Sequence, residues 1–215
     1  MKSILFIISY VFNLVMIVNS ISTCTFENSV FSSKCSGCPP KFNQKLCAST
    51  TRYVMDNISA CGCNLHKNSY KFTAAANTAL LNPNNPSLSW CPVNCGVCYE
   101  ICTTGGSLFY TDKQFNKPGK CVIFEINDRC ADGYKKPLES QYCRQEISPL
   151  ECETNYVLCN KKKSTNNFGY SAHFDLQDIN GQIFNDLQWD NPEITFVKVN
   201  CPFKNECVCK HRYLV

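Results

Sequence analysis

The chain has 215 residues, 18 of them cysteine, and a formal net charge of +4 at pH 7. Its basic residues are scattered, and the single run, Lys161-Lys162-Lys163, lies in a polar stretch that is typical of a solvated loop. This pattern excludes the concentrated basic surface of a nucleic-acid-binding protein, so no nucleic-acid partner is expected.

The first 22 residues have the pattern of a secretory leader. A charged start at Lys2 precedes an apolar run over 4–18, and mostly small residues suited to cleavage follow at 19–22. The run is shorter than the ~20 apolar residues that a membrane span needs. We therefore predict a signal peptide over 1–22, secretion to the extracellular space without membrane attachment, and a single mature domain over 23–215.

All 18 cysteines lie beyond this leader. An even number at this density in an oxidising compartment predicts a framework of up to nine disulfides, whose pairing the spacing leaves open. The pairs Cys35/Cys38 and Cys95/Cys98 have a spacing found in zinc sites, but the chain has only three histidines and the secretory route favours disulfides. No metal and no cofactor are expected.

The remaining pattern predicts a mainly β fold. One helix is predicted over 72–81 (FTAAANTALL), and Asn82-Pro83 ends it because proline disfavours helix in the residue before it. Short strands separated by Gly, Asn and Pro turns are predicted at 99–103, 108–111, 122–126, 172–176 and 194–199. Many short strands with little helix indicate a small β-barrel or sandwich.

Residues 169–176, GYSAHFDL, place a carboxylate in an otherwise apolar run. Alternation puts Phe174 on one face and His173 and Asp175 on the other, which is either a solvated edge or the wall of a site. Glycoside hydrolysis needs two carboxyl groups astride the glycosidic bond, one to donate a proton and one to activate water or attack. The carboxylates nearest to aromatic or cysteine-fixed positions are Asp56, Asp128, Asp175 and Asp178.

Several short motifs follow one another through nearly the whole mature chain. They are KLCASTTRY and ACGC near the start, SWC, NCGVC and TTGG in the middle, then GYSAHFDL, WDNPE and VNC. In this order they resemble the mollusc-type branch of the glycoside hydrolase family 45 endoglucanases, a family similar to expansins in its barrel and its HFDL segment.

The resemblance implies a six-stranded double-psi β-barrel with short helices and long disulfide-bonded loops. It also implies an inverting endo-β-1,4-glucanase that acts on β-1,4-glucan, with Asp175 as the general acid, and a monomer is expected. A partly apolar setting would raise the pKa of Asp175 and keep it protonated. The predicted sugar-binding residues, for which burial in the core or an orienting role is the alternative, are Tyr53, Trp90, Tyr170, His173 and Trp189.

The general base is where the chain departs from the family pattern. The family has an Asp just after its Thr-x-Tyr motif, whereas the matching position here is Met55 and Asp56 comes one residue late. A one-residue shift on a strand turns a side chain to the opposite face, so Asp56 can serve only if the segment bulges. Asp128, in a turn that resembles the Asp-Arg-Cys turn of double-psi barrels, is the other possible base, and the neighbouring Arg129 would lower its pKa.

Two functions therefore stay open. One is an inverting endoglucanase with Asp175 as acid and Asp128 or Asp56 as base. The other is an expansin-like or lectin-like protein that binds cell-wall polysaccharide without hydrolysis, which Met55 favours. Expansins usually carry a second, carbohydrate-binding domain, and the six residues after Cys209 are too few for one, which favours the hydrolase.

Overall fold

The computed structural model describes residues 30–54, 59–62, 72–81, 83, 91–130, 140–143, 152, 154 and 165–202. The predicted signal peptide, Met55, Asp56 and Trp90 lie outside these residues, so the expectations about them stay predictions. Within the described part of the chain, no helix combines the length and the apolar character that crossing a membrane requires.

Seven strands and two short α-helices form the described fold. In chain order they are β1 (Lys41–Phe42), β2 (Lys45–Tyr53), β3 (Thr73–Asn77), α1 (Thr78–Leu81), β4 (Cys98–Ser107), β5 (Cys121–Cys130), α2 (Ser140–Cys143), β6 (His173–Gln177) and β7 (Pro192–Val199). A π-helical turn, Gln182–Asp186, lies between β6 and β7.

Six of the strands close into a ring. Neighbours follow the order β2–β6–β3–β5–β4–β7, and β7 pairs back with β2 at Cys47 and Ala48. The β2–β6 and β3–β5 pairs are parallel, and the other pairs of the ring are antiparallel. The mainly β fold and the six-stranded barrel predicted from the sequence are confirmed.

Large apolar side chains fill the interior of the barrel. Phe124, Phe174 and Trp189 are almost fully buried, and Trp189 stacks on Phe124 with the ring centroids 5.9 Å apart. Trp189 is 1 % exposed, which leaves no ring face for a sugar. The prediction that Trp189 binds substrate is therefore wrong, and its burial alternative holds.

Residues 73–77 form a strand where a helix was predicted. The alanine-rich segment favours helix locally, but β3 lies between β5 and β6 and all of its residues are buried. Ladder hydrogen bonds on both sides override the local preference, and small side chains suit a strand that is covered on both faces. Only Thr78–Leu81 forms the helical turn α1.

Two other segments differ from the prediction. KLCASTTRY, recognised only as a motif, is the nine-residue strand β2. The strand predicted over 108–111 is absent, because β4 ends at Ser107 opposite Pro192, the first residue of β7. Beyond that pair a single backbone hydrogen bond, from the Leu108 N–H to the Asn191 carbonyl, continues the contact.

Disulfides join strands, loops and helix α2 to one another. The bridges are Cys35–Cys47, Cys61–Cys95, Cys98–Cys201, Cys102–Cys121 and Cys130–Cys143. Both Cys-x-x-Cys pairs bridge to other parts of the chain rather than within themselves. Since every described cysteine is disulfide-bonded, the predicted framework is confirmed for this part of the chain.

Glu193 is a fully buried carboxylate that holds the segment before β1 against β7. Its Oε1 accepts hydrogen bonds from Ser33 Oγ at 2.6 Å and from the Tyr170 hydroxyl. Its Oε2 accepts from the Lys34 N–H at 2.8 Å and from Thr104 Oγ1 at 2.6 Å. Burial and the Glu193 charge raise the pKa of Tyr170, so this hydroxyl keeps the proton that it donates.

This network corrects the prediction for Tyr170. Its side chain is 0 % exposed and packs beside Phe168 and Leu108. A sugar ring cannot reach it, and its hydroxyl is already bonded to Glu193. Tyr170 is a core residue.

We predict that Glu193→Gln lowers the free energy of unfolding by about 2–4 kcal/mol. Glutamine has the same shape, but either orientation of its amide turns an NH2 group toward a hydrogen-bond donor. Glu100→Gln is the matched control, because Glu100 is half-exposed and pairs with Lys45 at 3.6 Å. It should change the free energy by less than about 0.5 kcal/mol. Similar small effects of both variants in chemical denaturation would contradict the anchoring role of Glu193.

Candidate active site

A cleft of about 360 Å³ opens where β2 ends. Strands β2, β5 and β6, helix α2 and the residue before β7 all contribute to it. The residues that line it are Thr51, Arg52, Tyr53, Cys130, Tyr142, Cys143, Asp175 and Asn191. The Cys130–Cys143 disulfide fixes α2 to the end of β5 and so holds this wall in place.

Asp175 projects into the cleft from β6. It pairs in register with Thr51 on one side and with Ala75 on the other, and Thr51 Oγ1 donates a hydrogen bond to its Oδ1 at 2.8 Å. Burial raises the pKa of Asp175 to about 7, while the Thr51 hydrogen bond opposes the rise and the charge of Asp128 adds to it. A carboxyl group that keeps its proton near neutral pH is suited to act as a general acid.

Asp128 reaches the same face of the sheet through a β-bulge. The register of β3 with β5 shifts just before Ala75, so that Asn127 is passed over and Ala75 lies opposite Asp128. Without the extra residue, Asp128 would point to the opposite face. Ala75 is thus flanked by Asp128 and Asp175, whose Cα atoms lie two strand spacings, or about 9–10 Å, apart.

The Asp128 carboxyl is held in a fixed orientation by the backbone. Its Oδ1 accepts hydrogen bonds from the Ala60 N–H at 2.7 Å and the Arg129 N–H at 2.8 Å. Burial raises the pKa of Asp128, and these two hydrogen bonds and the Arg129 charge only partly offset the rise. Arg129 lowers this pKa as expected, but burial outweighs it, so the expectation of a depressed pKa overall is wrong. The charge of Asp128 contributes to the high pKa of Asp175, so the two carboxyl groups titrate as a coupled pair.

His173 lies behind Asp175 in a chain of hydrogen bonds. Its Nε2 is 2.9 Å from Thr51 Oγ1 and its Nδ1 is 2.8 Å from Ser49 Oγ, which accepts from Asn166 Nδ2 at 2.6 Å. Burial lowers the pKa of His173 to about 3, so the ring is neutral. Thr51 donates its single hydroxyl proton to Asp175, so the Thr51 oxygen accepts a hydrogen bond from the His173 Nε2–H. The His173 Nδ1 then carries no proton and accepts from the Ser49 hydroxyl. In this series of hydrogen bonds each group therefore donates to the next one toward Asp175.

The burial of His173 corrects its assignment as a sugar-binding residue. The ring is 0 % exposed and stacks on Tyr142 with the centroids 5.9 Å apart. Its contacts fix the direction of the Thr51 hydroxyl, which is the orienting role that the sequence left open.

Arg52 is a cation in the cleft wall that two carboxylates hold. Its Nη1 is 3.2 Å from Asp178 Oδ2 and its Nη2 is 3.0 Å from Asp190 Oδ1. The guanidinium also lies over the Phe184 ring, 4.5 Å from its centroid. These contacts tie the end of β2 to the turns on both sides of the π-helical segment.

Of the aromatic residues predicted to bind sugar, Tyr53 lines the cleft. Sequence reasoning missed Arg52, Tyr142 and Asn191 as wall residues. Arg52 and Asn191 belong to the motifs KLCASTTRY and WDNPE, which could have indicated them, whereas Tyr142 lies in none of the motifs.

Two clusters among the described residues have the composition of metal sites. They are Cys130 and Cys143 with His173, and Cys102 and Cys121 with Glu100. In each cluster the two cysteines are joined in a disulfide, so neither offers the thiolate that a metal binds.

Comparison with known proteins agrees with this barrel and cleft. Residues 48–206 match the family model described as EXPB1-like domain 1. An endoglucanase of Mytilus edulis is 29% identical over 201 residues, which cover 83% of this chain and 99% of that protein.

The chain is also similar to solved structures of endoglucanases. The β-1,4-D-endoglucanase Cel45A of the blue mussel Mytilus edulis has 31% identity and a TM-score of 0.60, with 79% of this chain and 87% of that one covered. A variant of the family 45 endoglucanase EG27II in complex with cellobiose has 29% identity and a TM-score of 0.64, with 85% and 100% covered. The predicted double-psi β-barrel is thereby confirmed, and the chain belongs to glycoside hydrolase family 45.

Proposed function

We propose that the protein is a secreted endo-β-1,4-glucanase that hydrolyses cellulose-type glucans with inversion at the anomeric carbon. The observation that carries the proposal is the placement of Asp175 and Asp128 on either side of Ala75, on one face of the barrel. A Cα separation of about 9–10 Å is compatible with the ~6.5–9.5 Å between carboxyl groups that leaves room for one water in inverting enzymes. Relatives that are endoglucanases, one of them bound to cellobiose, support β-1,4-glucan as the substrate.

The proposed roles follow from the two carboxyl environments. Asp175 donates its proton to the glycosidic oxygen as the bond from C1 to that oxygen breaks. Thr51 donates to Oδ1 of Asp175, which leaves Oδ2 to carry the proton toward the substrate. Asp128 takes a proton from a water molecule as the water oxygen attacks C1 from the other side. The proton goes to Oδ2 of Asp128, because the backbone N–H groups that the structure describes donate to Oδ1. The step consumes one water, and proton exchange with solvent restores both groups.

Secretion rests on sequence features alone. The leader pattern over 1–22 and the dense disulfides are both typical of a protein made in an oxidising export pathway. Asp56 stays the alternative base, and it lies outside the described residues.

A second function, binding of wall polysaccharide without hydrolysis, is favoured by Met55 at the base position of the family. Methionine cannot accept a proton from water. The release of new reducing ends from carboxymethyl cellulose separates the two functions, because a binding protein produces none.

We expect Asp175→Asn to lower kcat on carboxymethyl cellulose by at least about 100-fold and to leave the affinity for cellotetraose near that of the wild type. The amide cannot donate a carboxylic proton, but it keeps the shape of the side chain. Asp112→Asn, at an exposed carboxylate that accepts from the Gln114 N–H, is the matched control and should retain full activity. A fully active Asp175→Asn protein would show that another group is the acid.

Proton NMR of the first product should show the α-anomer, and an initial β-anomer would exclude inversion.

The pH profile should report the Asp175 proton. Because the general acid must be protonated, activity should fall as the pH rises through about 7. Thr51→Val removes the hydrogen bond that lowers this pKa, so the alkaline limb of kcat should move to higher pH. Thr50→Val is the control, because Thr50 donates instead to the Pro192 carbonyl at 2.7 Å. The alkaline limb of the kcat profile of this variant should not shift. An unchanged alkaline limb in Thr51→Val would show that Thr51 does not affect the pKa of the general acid.

Asp128→Asn should lower kcat by about 10²–10⁴-fold, since an amide cannot accept the proton of the attacking water. Met55→Asp, which restores the family residue, should leave the rate within about twofold if Asp128 is the sufficient base. The opposite result, a large gain in Met55→Asp and little loss in Asp128→Asn, would assign the base position to residue 55 and make the natural protein a weakened enzyme. Circular dichroism should establish that both variants are folded.

A further inference from the structure

The segment from Leu108 to Thr111 crosses the rim of the cleft and is bonded to its walls at both ends. At one end the Leu108 N–H donates to the carbonyl of Asn191, which lines the cleft, at 3.1 Å. At the other end Thr111 Oγ1 donates at 3.2 Å to Asp190, the carboxylate that pairs with Arg52. This segment is therefore continuous with the cleft rather than a separate surface.

The exposed aromatic rings of the described residues all lie on or beside this segment. They are Tyr110, which is 80 % exposed, Phe31, which is 57 % exposed, and Phe109, which is 40 % exposed. Phe109 packs edge-on against the cleft residue Tyr142, with the centroids 6.4 Å apart. The other large apolar side chains exposed in the described part of the chain are valines.

The pair of Phe31 and Tyr110 is held in a defined geometry. The two rings meet edge to face, 5.3 Å apart and at 78°, so they keep ring surface open to solvent. The Phe31 N–H donates to the Leu108 carbonyl at 3.1 Å, and the N–H groups of Ser32 and Ser107 bond across the same junction. Exposed aromatic surface that the backbone fixes in advance loses little conformational entropy when a ligand covers it.

We propose that Tyr110, supported by Phe31, forms an accessory site on the rim of the cleft that binds further glucosyl units of the β-1,4-glucan chain. A glucosyl ring presents an apolar C–H face that can lie on an aromatic ring, and the Tyr110 hydroxyl is a polar group beside that face. Continuity with the cleft, through Asn191 on one side and Asp190 on the other, selects the glucan as the occupant. The inference rests on the proposed function for the identity of the sugar.

The test measures binding apart from hydrolysis. In the Asp175→Asn background, binding is measured on phosphoric-acid-swollen cellulose by depletion and on cellotriose to cellohexaose by calorimetry. Tyr110→Ala should weaken binding to the polymer and to cellohexaose by about 3- to 10-fold, and should weaken cellotriose binding less. Tyr110→Phe, which keeps the ring, should retain most of the affinity. Val93→Ala, which removes another exposed apolar side chain, should bind as the parent does.

The outcomes separate this site from the proposed function. If the parent binds the polymer and Tyr110→Ala binds it equally well, the accessory site is overturned while the catalytic proposal stands. If Tyr110→Ala binds more weakly although the wild type releases no reducing ends, the accessory site is supported and the catalytic proposal fails. An equal loss for cellotriose and cellohexaose would also overturn the site, because it would place Tyr110 within the cleft or in the folding of its wall.

Discussion

The extra residue in β5 is the constraint on which the paired carboxyl groups depend. Consecutive side chains of a regular strand point to opposite faces, so without the bulge Asp128 would point away from the face that carries Asp175. The bulge brings Asp128 to the face of Ala75, and Asn127 beside it is fully buried with its Nδ2 3.5 Å from Gln177 Oε1. Ala75 lies between the strands that carry Asp128 and Asp175. The distance between the two carboxyl groups is therefore set by two strand spacings. A methyl group at this position keeps the space between them open.

Glu193 and Asp175 are two carboxyl groups of this barrel whose surroundings give them different roles, one structural and one in the proposed reaction. Glu193 accepts hydrogen bonds on both oxygens from hydroxyl and backbone donors, which fixes it as a permanent acceptor in the core. Asp175 receives one such bond, from Thr51, and its other oxygen faces a cleft. The first arrangement stabilises a junction, and the second leaves a proton poorly solvated and within reach of a ligand. The number of donors and the access to solvent distinguish the two roles.

The barrel and the placement of Asp175 could be read from the sequence, whereas the contacts that complete the site could not. Alternation in GYSAHFDL places Asp175 and His173 on the face away from Phe174, as observed. The strand at 73–77 was missed because a local alanine preference says nothing of the strands on either side. Burial of Tyr170 and Trp189 depends on long-range partners, Glu193 and Phe124, that no local pattern reveals. The bulge at Asn127 is likewise a property of the pairing of β3 with β5 and not of either strand alone.

The two ion pairs of Arg52 bear on the conditions under which the cleft keeps its shape. Their N–O distances of 3.0 and 3.2 Å are far shorter than the Debye length of about 8 Å in physiological salt, and Asp178 is only 5% exposed. Dissolved ions therefore screen these pairs weakly. A glucan chain is itself uncharged, so its capture gains nothing from long-range electrostatic steering that salt could remove. The geometry of this wall and the encounter with an uncharged glucan should therefore both be insensitive to ionic strength.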